Sequence, residues 1–306
     1  MKHIKRGWKI LKKTFEDWNN SSASKDSAGM AYYAIFSLPG LLIIVIWISG
    51  LFFGDEAVRG EITDQASGIA GKDIADSLQS MVLSAVWDHQ NIWMKILGIC
   101  TLIFGATTLF FHMQRSLNLL WEVEAEPKKA FQKYIIDRAN SLGMILIIAF
   151  LLLISLILSS VLGLANNWIT RNFGLETFIF AQVLNVVISF LVVIVLFASM
   201  FKILPDVEIE WRSVWIGALV TAVLFSIGKF LLGYYFELSK PTSIFGAAGT
   251  IILLMMWINY TCQIVFFGAE FTKVYAREMG HSIKLSSHAK WIAAKTVRET
   301  KEEKEN

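Results

Sequence analysis

The chain has little of what soluble enzymes are built from. Its 306 residues include two cysteines, four prolines and five histidines, and only 17% are charged. Cys100 and Cys262 both fall inside apolar runs, so the sequence offers neither a disulfide framework nor a thiolate zinc site. His3, His89, His112, His281 and His288 are scattered without metal-ligand spacing, and no pair of carboxylates shares a helix face. There is no glycine-rich phosphate loop ending in Gly-Lys-Ser/Thr, which excludes ATP hydrolysis by this chain. There is no Gly-x-Ser-x-Gly elbow either. The sequence therefore names no catalytic residue, metal ligand or cofactor, and the protein is expected not to be an enzyme.

Hydrophobic residues make up 55% of the chain, and they are gathered in six long runs. These are Ala31–Phe53, Ile96–Met113, Ser141–Ala165, Phe178–Leu204, Ser213–Phe236 and Ser243–Phe271. A helix needs about 20 mainly apolar residues to cross a bilayer, and barrel strands would be shorter and alternating. The expected fold is an all-α integral membrane protein with six transmembrane helices and amphipathic surface helices. Lys and Arg are segregated. Residues 1–30, 114–140, 202–212 and 273–306 hold twenty-two of them, against five in 54–95, 166–177 and 237–242. That bias places both termini in the cytoplasm. The same charges are explained by orientation and anionic lipid, so no nucleic-acid partner is inferred. The first outer connection, 54–91, is acidic, with Asp55, Glu56, Glu61, Asp64, Asp73, Asp76 and Asp88.

Three units follow: 1–30, a basic helix and linker; 31–272, the six-span domain; and 273–306, a polar tail expected to fray from Lys284 onward. In the first unit Ile4, Trp8, Leu11, Phe15 and Trp18 recur at helical spacing, with Lys5, Lys9, Lys12 and Lys13 on other faces. Such a helix either lies on the membrane surface or packs on the bundle's own end. Asn19–Ser22 reads as a turn. Pro39 and Gly40 predict a kink or break in the first span. Ile74, Leu78, Met81 and Ala85 mark a short helix in the outer connection, and the stretch after Met113 should continue as helix to Trp121 and break near Pro127.

Polar residues inside the runs form stripes. Asn259, Gln263 and Glu270 fall within about 40° of one another on the last span, and Thr101, Thr108, His112 and Arg115 within about 60° on the second. Gln182, Asn185 and Ser189 do likewise on the fourth. Charged groups facing lipid would be costly, so these stripes should face protein or water. Arg115 and Glu270, both near the cytoplasmic ends of their spans, are the natural structural ion pair. Lys229 lies deep in the fifth span, on a face with Ala218, Ala222, Ser226 and Gly233. Without a carboxylate at its depth, it snorkels outward, loses its proton, or awaits an anion. Ser243–Gly249, rich in small residues, allows close packing or exposed backbone.

Several stretches together resemble the YihY/BrkB family of bacterial inner-membrane proteins. They are Ala31–Pro39 (Ala-Tyr-Tyr-Ala-Ile-Phe-Ser-Leu-Pro), Phe104-Gly105-Ala106 running to Asn118-Leu119-Leu120-Trp121, and Trp215-Ile216-Gly217-Ala218 with Gly228-Lys229-Phe230. Phe245–Gly249 and Phe267–Thr272 (Phe-Gly-Ala-Glu-Phe-Thr) complete the set, which covers roughly residues 10–280. Pro39-Gly40 departs from the Pro-Pro that the family often carries. The resemblance implies a six-helix protein of the bacterial inner membrane, with transport of lipid or envelope components and serum resistance among the roles proposed for the family. Its older ribonuclease BN label finds no metal-binding cluster here.

Two functions are expected from these features. The first is a carrier that moves an anionic or amphipathic molecule along a polar seam lined by Lys229, Asn185, Asn259, Gln263, Thr108 and His112. The alternative is a scaffold or envelope-integrity protein that acts through partners. Membrane lipids are partners in either case, and the small-residue faces also allow a homo-oligomer.

Overall fold

The computed structural model describes residues 2–53, 92–125, 141–148, 175–239, 247–286 and 289–292, with isolated positions at 60, 63, 67, 75, 76, 79, 139, 150 and 151. Six helices dominate: α1 (Lys2–Asn20), α2 (Ala23–Phe53), α3 (Ile92–Leu120), α4 (Leu175–Ile203), α5 (Trp211–Ser239) and α6 (Ala247–Met279). Residues 141–148 are helical as well. Four short strands join them: β1 (Val123–Ala125), β2 (Val207–Ile209), β3 (Ile283–Leu285) and β4 (Ala289–Trp291). Three described stretches are long and apolar enough to cross a membrane: Val186–Ile203, Trp211–Tyr235 and Ile251–Met279. The expected helix around Ile74–Ala85 lies almost wholly outside the described residues, with Ala75, Asp76 and Gln79 helical within it. α2 runs through Pro39 and Gly40, whose side chains are outside the described set.

α2 and α3 pack along each other, α6 lies against α2 and α5, and α4 lies against α5. Gly105 on α3 brings that helix close to the backbone of Phe36 and Ser37 on α2, and His112 stacks on Tyr33, with ring centroids 3.6 Å apart. A close seam joins α5 and α6. A Cβ built on Gly217 would lie 1.8 Å from Thr272 Oγ1, and one on Gly268 would lie 1.8 Å from Thr221 Oγ1. Each helix thus offers a glycine to the other's threonine. Both hydroxyls are satisfied within their own helix, Thr221 donating to the Gly217 carbonyl and Thr272 to that of Gly268, each at 2.7 Å. Small residues let transmembrane helices approach closely enough for dispersion contacts to hold them, since lipid leaves little hydrophobic drive between helices.

One end of the bundle is closed by two antiparallel ribbons, β1 with β4 and β2 with β3. The chain beyond α6 therefore returns and pairs with the segments that follow α3 and α4. Lys284 and Leu285 of β3 and the whole of β4 lie within the tail expected to fray, and that expectation is corrected over these residues. They hold because β2 and β3 supply each other's backbone partners while Val207, Ile209, Ile283 and Leu285 cover the core. The break after α3 also comes earlier than Pro127. It falls at Trp121–Glu122, where Glu122 adopts a positive φ of 59°, and β1 begins one residue later.

α1 packs on α6 and ends in a bend at Ser21–Ser22. Its buried side is Ile10 and Thr14, with Ile10 set among Phe271, Val274, Ile216 and Val220. Trp8, Leu11 and Phe15 remain exposed on another side at 69%, 43% and 57%. Of the two alternatives read from the sequence, packing on the bundle is what the structure shows, and the helix still presents an apolar face.

Candidate functional site

Lys229 lies about two and three turns along α5 from Ala222 and Ala218, on the same side as these two fully buried residues. It is half-buried, and among the described residues it makes no hydrogen bond or ion pair. Gly228 beside it is the floor on which Tyr260 of α6 rests: a Cβ there would lie 2.1 Å from the phenol oxygen. The antiparallel pairing of Gly217 with Thr272, Thr221 with Gly268 and Gly228 with Tyr260 keeps one register. That register sets Asn259 and Tyr260 level with Lys229, whereas helix lengths alone put Asn259 a turn lower. Gln263 Nε2 donates to Asn259 Oδ1 at 2.8 Å. About one turn along α5, Phe225 makes edge contacts with Phe197 at 5.7 Å and Trp257 at 6.1 Å. Lys229 is thus level with a short polar row on α6 and one turn from an aromatic cluster, in a helix where a charge without a counter-charge is costly.

Other residues of the expected seam are placed less centrally. Thr108 and His112 lie half-buried on α3, and His112, stacked on Tyr33, belongs to the α2–α3 contact. Asn185 is on α4, and its side chain lies outside the described residues. The ion pair drawn from the sequence between Arg115 and Glu270 is replaced: Arg115 is exposed, and the Glu270 carboxylate, 1% exposed, meets Lys273 one turn on at 2.7 Å. That contact is ionic without the alignment of a hydrogen bond, leaving Glu270 Oε1 without a hydrogen-bond donor. Lys273 directs its protons instead to the Leu120 carbonyl at 2.8 Å and to Glu122 Oε1 at 3.4 Å.

Two polar clusters at the ribbon end were not foreseen. In the first, Glu122 is shared by Lys273 and by Arg277, whose Nη2 lies 3.5 Å away. Partial burial would push the Glu122 carboxyl up, but the two cations outweigh it and hold the group below its ordinary value. In the second, Asp206 follows Pro205 in the link between α4 and β2. Its backbone N–H donates to Asn118 Oδ1 at 2.8 Å, while Asn118 Nδ2 donates to its carboxylate at 2.8 Å and Gln114 Nε2 at 3.3 Å. The spacing of Gln114 and Asn118, four apart on one buried face, was the available signal. At the start of α5, Ser213 Oγ and His281 Nδ1 are 2.7 Å apart, and Glu210 accepts from the Ser282 backbone and hydroxyl, which holds its carboxyl below the ordinary range. Ser213 is fully buried, and this contact anchors the tail to the start of α5. Among the described residues, no group of three His, Cys, Asp or Glu is placed to hold a metal ion.

Long apolar helices, small-residue seams and a ribbon-closed end define a helical membrane protein. Relatives carry the same description. A UPF0761 membrane protein of Pseudoalteromonas atlantica is 27% identical over 251 residues, covering 81% of this chain and 80% of the relative. One from Psychromonas ingrahamii is 25% identical over 244 residues, covering 79% of each chain. Another, from Yersinia pestis, is 30% identical over 180 residues and covers 58% of each. The sequence model of the family described as Virulence factor BrkB matches residues 14–292, and the chain belongs to that family. No solved structure matches it.

Proposed function

We propose that the protein is a six-span carrier of the bacterial inner membrane, with both termini in the cytoplasm, that moves an anionic or amphipathic molecule of lipid or envelope type along the α5–α6 seam. The observation that carries this reading is Lys229: a half-buried ammonium in a membrane-crossing helix, with no counter-charge among the described residues and with Tyr260 and Asn259 at its level. An anionic headgroup would supply the missing charge, and the phenol and amide would supply hydrogen bonds. Orientation is supported by the basic ribbon end, where Lys202 lies 5.5 Å over the Trp211 ring and Trp215 stacks on Trp211. Trp and Lys at one level are what a membrane–water boundary collects. α2 and α3, with 31 and 29 residues, are long enough to be further spans.

A scaffold reading draws on a different observation. Asn259 and Gln263 bond to each other, and His112 is covered by Tyr33, so part of the polar stripe is closed on itself. Proteoliposomes separate the two readings. A carrier translocates fluorescent phosphatidylglycerol faster than protein-free vesicles and loses that activity in Lys229→Met. A scaffold gives the same flux with wild type, Lys229→Met and no protein.

A further inference from the structure

α1 has three sides, and the fold buries one of them, ties a second to the end of α6 through Lys9 and Arg6, and leaves the third uncovered. Ile10 and Thr14 are buried against α6 and α5. Lys9, Lys12 and Lys13 are exposed on a second side; Lys9 reaches Glu278 Oε1 at 3.1 Å and Lys12 reaches Glu16 at 3.7 Å. Arg6 donates to the Glu278 carbonyl at the end of α6. The third side is Trp8, Leu11 and Phe15, an arc of about 60° at the helical repeat, and all three are exposed. Ile216 and Val220, against which α1 rests, flank the stripe of α5 that faces outward: Trp211, Trp215, Leu219 and Val223 are all exposed. Through Ile10, α1 therefore rests beside an apolar stripe of a helix that is itself long enough to cross a membrane.

We propose that α1 is a docking helix for an anionic lipid leaflet, with Trp8, Leu11 and Phe15 inserted at the headgroup boundary and Lys9, Lys12 and Lys13 against lipid phosphates. The occupant is a lipid surface because an exposed apolar arc with Lys12 and Lys9 along one edge is what an interfacial helix presents, and Trp favours that boundary. A soluble protein partner would leave the neighbouring apolar stripe of α5 unexplained. The docked helix is fastened to α6 by Ile10, Arg6 and Lys9, so lipid charge would bear directly on the helix that carries Tyr260 and Asn259. This assignment stands whether or not the protein carries a cargo.

The test places a nitroxide at Leu11→Cys in the full chain with Cys100 and Cys262 changed to Ala, reconstituted in phosphatidylglycerol or phosphatidylcholine vesicles. Phe15→Cys is the second site, and Lys284→Cys, exposed on β3, is the water-facing control. In phosphatidylglycerol the labels at 11 and 15 should collide with oxygen more than with a water-soluble nickel chelate, and the label at 284 should do the reverse. Each lysine near an anionic surface favours docking about fivefold, so Lys12→Gln with Lys13→Gln should weaken it about 25-fold and move the labels toward water. Labels at 11 and 15 as water-exposed as the control would overturn the proposal, as would insertion of equal depth in phosphatidylcholine with no response to the lysine changes.

Discussion

Gly217 and Thr272 allow the α5–α6 seam to be tested by a single methyl group. In Gly217→Ala the new Cβ would start 1.8 Å from Thr272 Oγ1 and 2.9 Å from its Cβ, where carbon contacts prefer about 3.5–4.0 Å. Thr272 has little room to yield, because its hydroxyl is bonded to the Gly268 carbonyl at 2.7 Å and a β-branched side chain is stiff in a helix. The helices must separate instead. Overpacking of this kind costs about 1–3 kcal/mol, and the upper figure fits a near-complete overlap. Alanine is a better helix former than glycine by about 1 kcal/mol, so the net loss should be about 2 kcal/mol. Thr272→Ala removes the hydroxyl and the methyl group that cause the clash. Reversible unfolding of the four proteins of a double-mutant cycle, in mixed detergent and dodecyl sulfate, should give a favourable coupling of about 1 kcal/mol or more between the two changes. If Gly217→Ala is as stable as wild type, or if the two substitutions are simply additive, the seam is not packed as described.

The ribbon end makes two further predictions. Asp206→Ala removes the carboxylate that accepts from the buried Asn118 amide at 2.8 Å and from Gln114 Nε2 at 3.3 Å, and at about 1–3 kcal/mol for an orphaned buried donor it should cost about 2 kcal/mol in the same unfolding assay, with Asp206→Asn intermediate. Glu122 has its carboxyl held below the ordinary 4.5 by Lys273 and Arg277, so its contribution is present above pH 4.5 and is lost as the pH falls through the lowered value. Glu122→Gln should therefore flatten the acid limb of the stability profile and leave its shape near pH 7 unchanged.

Much of the architecture is legible in the residues. Length and apolarity mark the helices, because in lipid a run such as Phe178–Leu204 has few other ways to satisfy its backbone. The Gly-x-x-x-Thr spacing at Gly217–Thr221 and again at Gly268–Thr272 could have pointed to the α5–α6 seam, but a wheel centred on Ala218 and Ala222 hid it. Other features depend on contacts that no local pattern carries. Asp206 finds Asn118 and Gln114 at separations of 88 and 92 residues, and three-residue strands such as Ile283–Leu285 exist only because β2 is beside them. The partner of Glu270 was in plain view as Lys273. The apolar run ends at Phe271, which leaves the lysine outside the span and hides the pairing from hydropathy. In α1 the helical spacing of Trp8, Leu11 and Phe15 marks the exposed arc, Trp18 of the same row packs on Phe267 instead, and the i, i+4 pair Ile10 and Thr14 marks the buried side.

The most direct test of the account is the headgroup preference of translocation. Proteoliposomes holding wild type, Lys229→Arg or Lys229→Met are loaded with fluorescent phosphatidylglycerol or its phosphatidylcholine analogue, and the fraction reduced by external dithionite is followed in time. The account predicts that wild type moves the anionic lipid faster than the zwitterionic one, that Lys229→Arg keeps the preference, and that Lys229→Met loses it together with most of the flux. Flux in wild type no faster than in empty vesicles, or an unchanged preference in Lys229→Met, would contradict it.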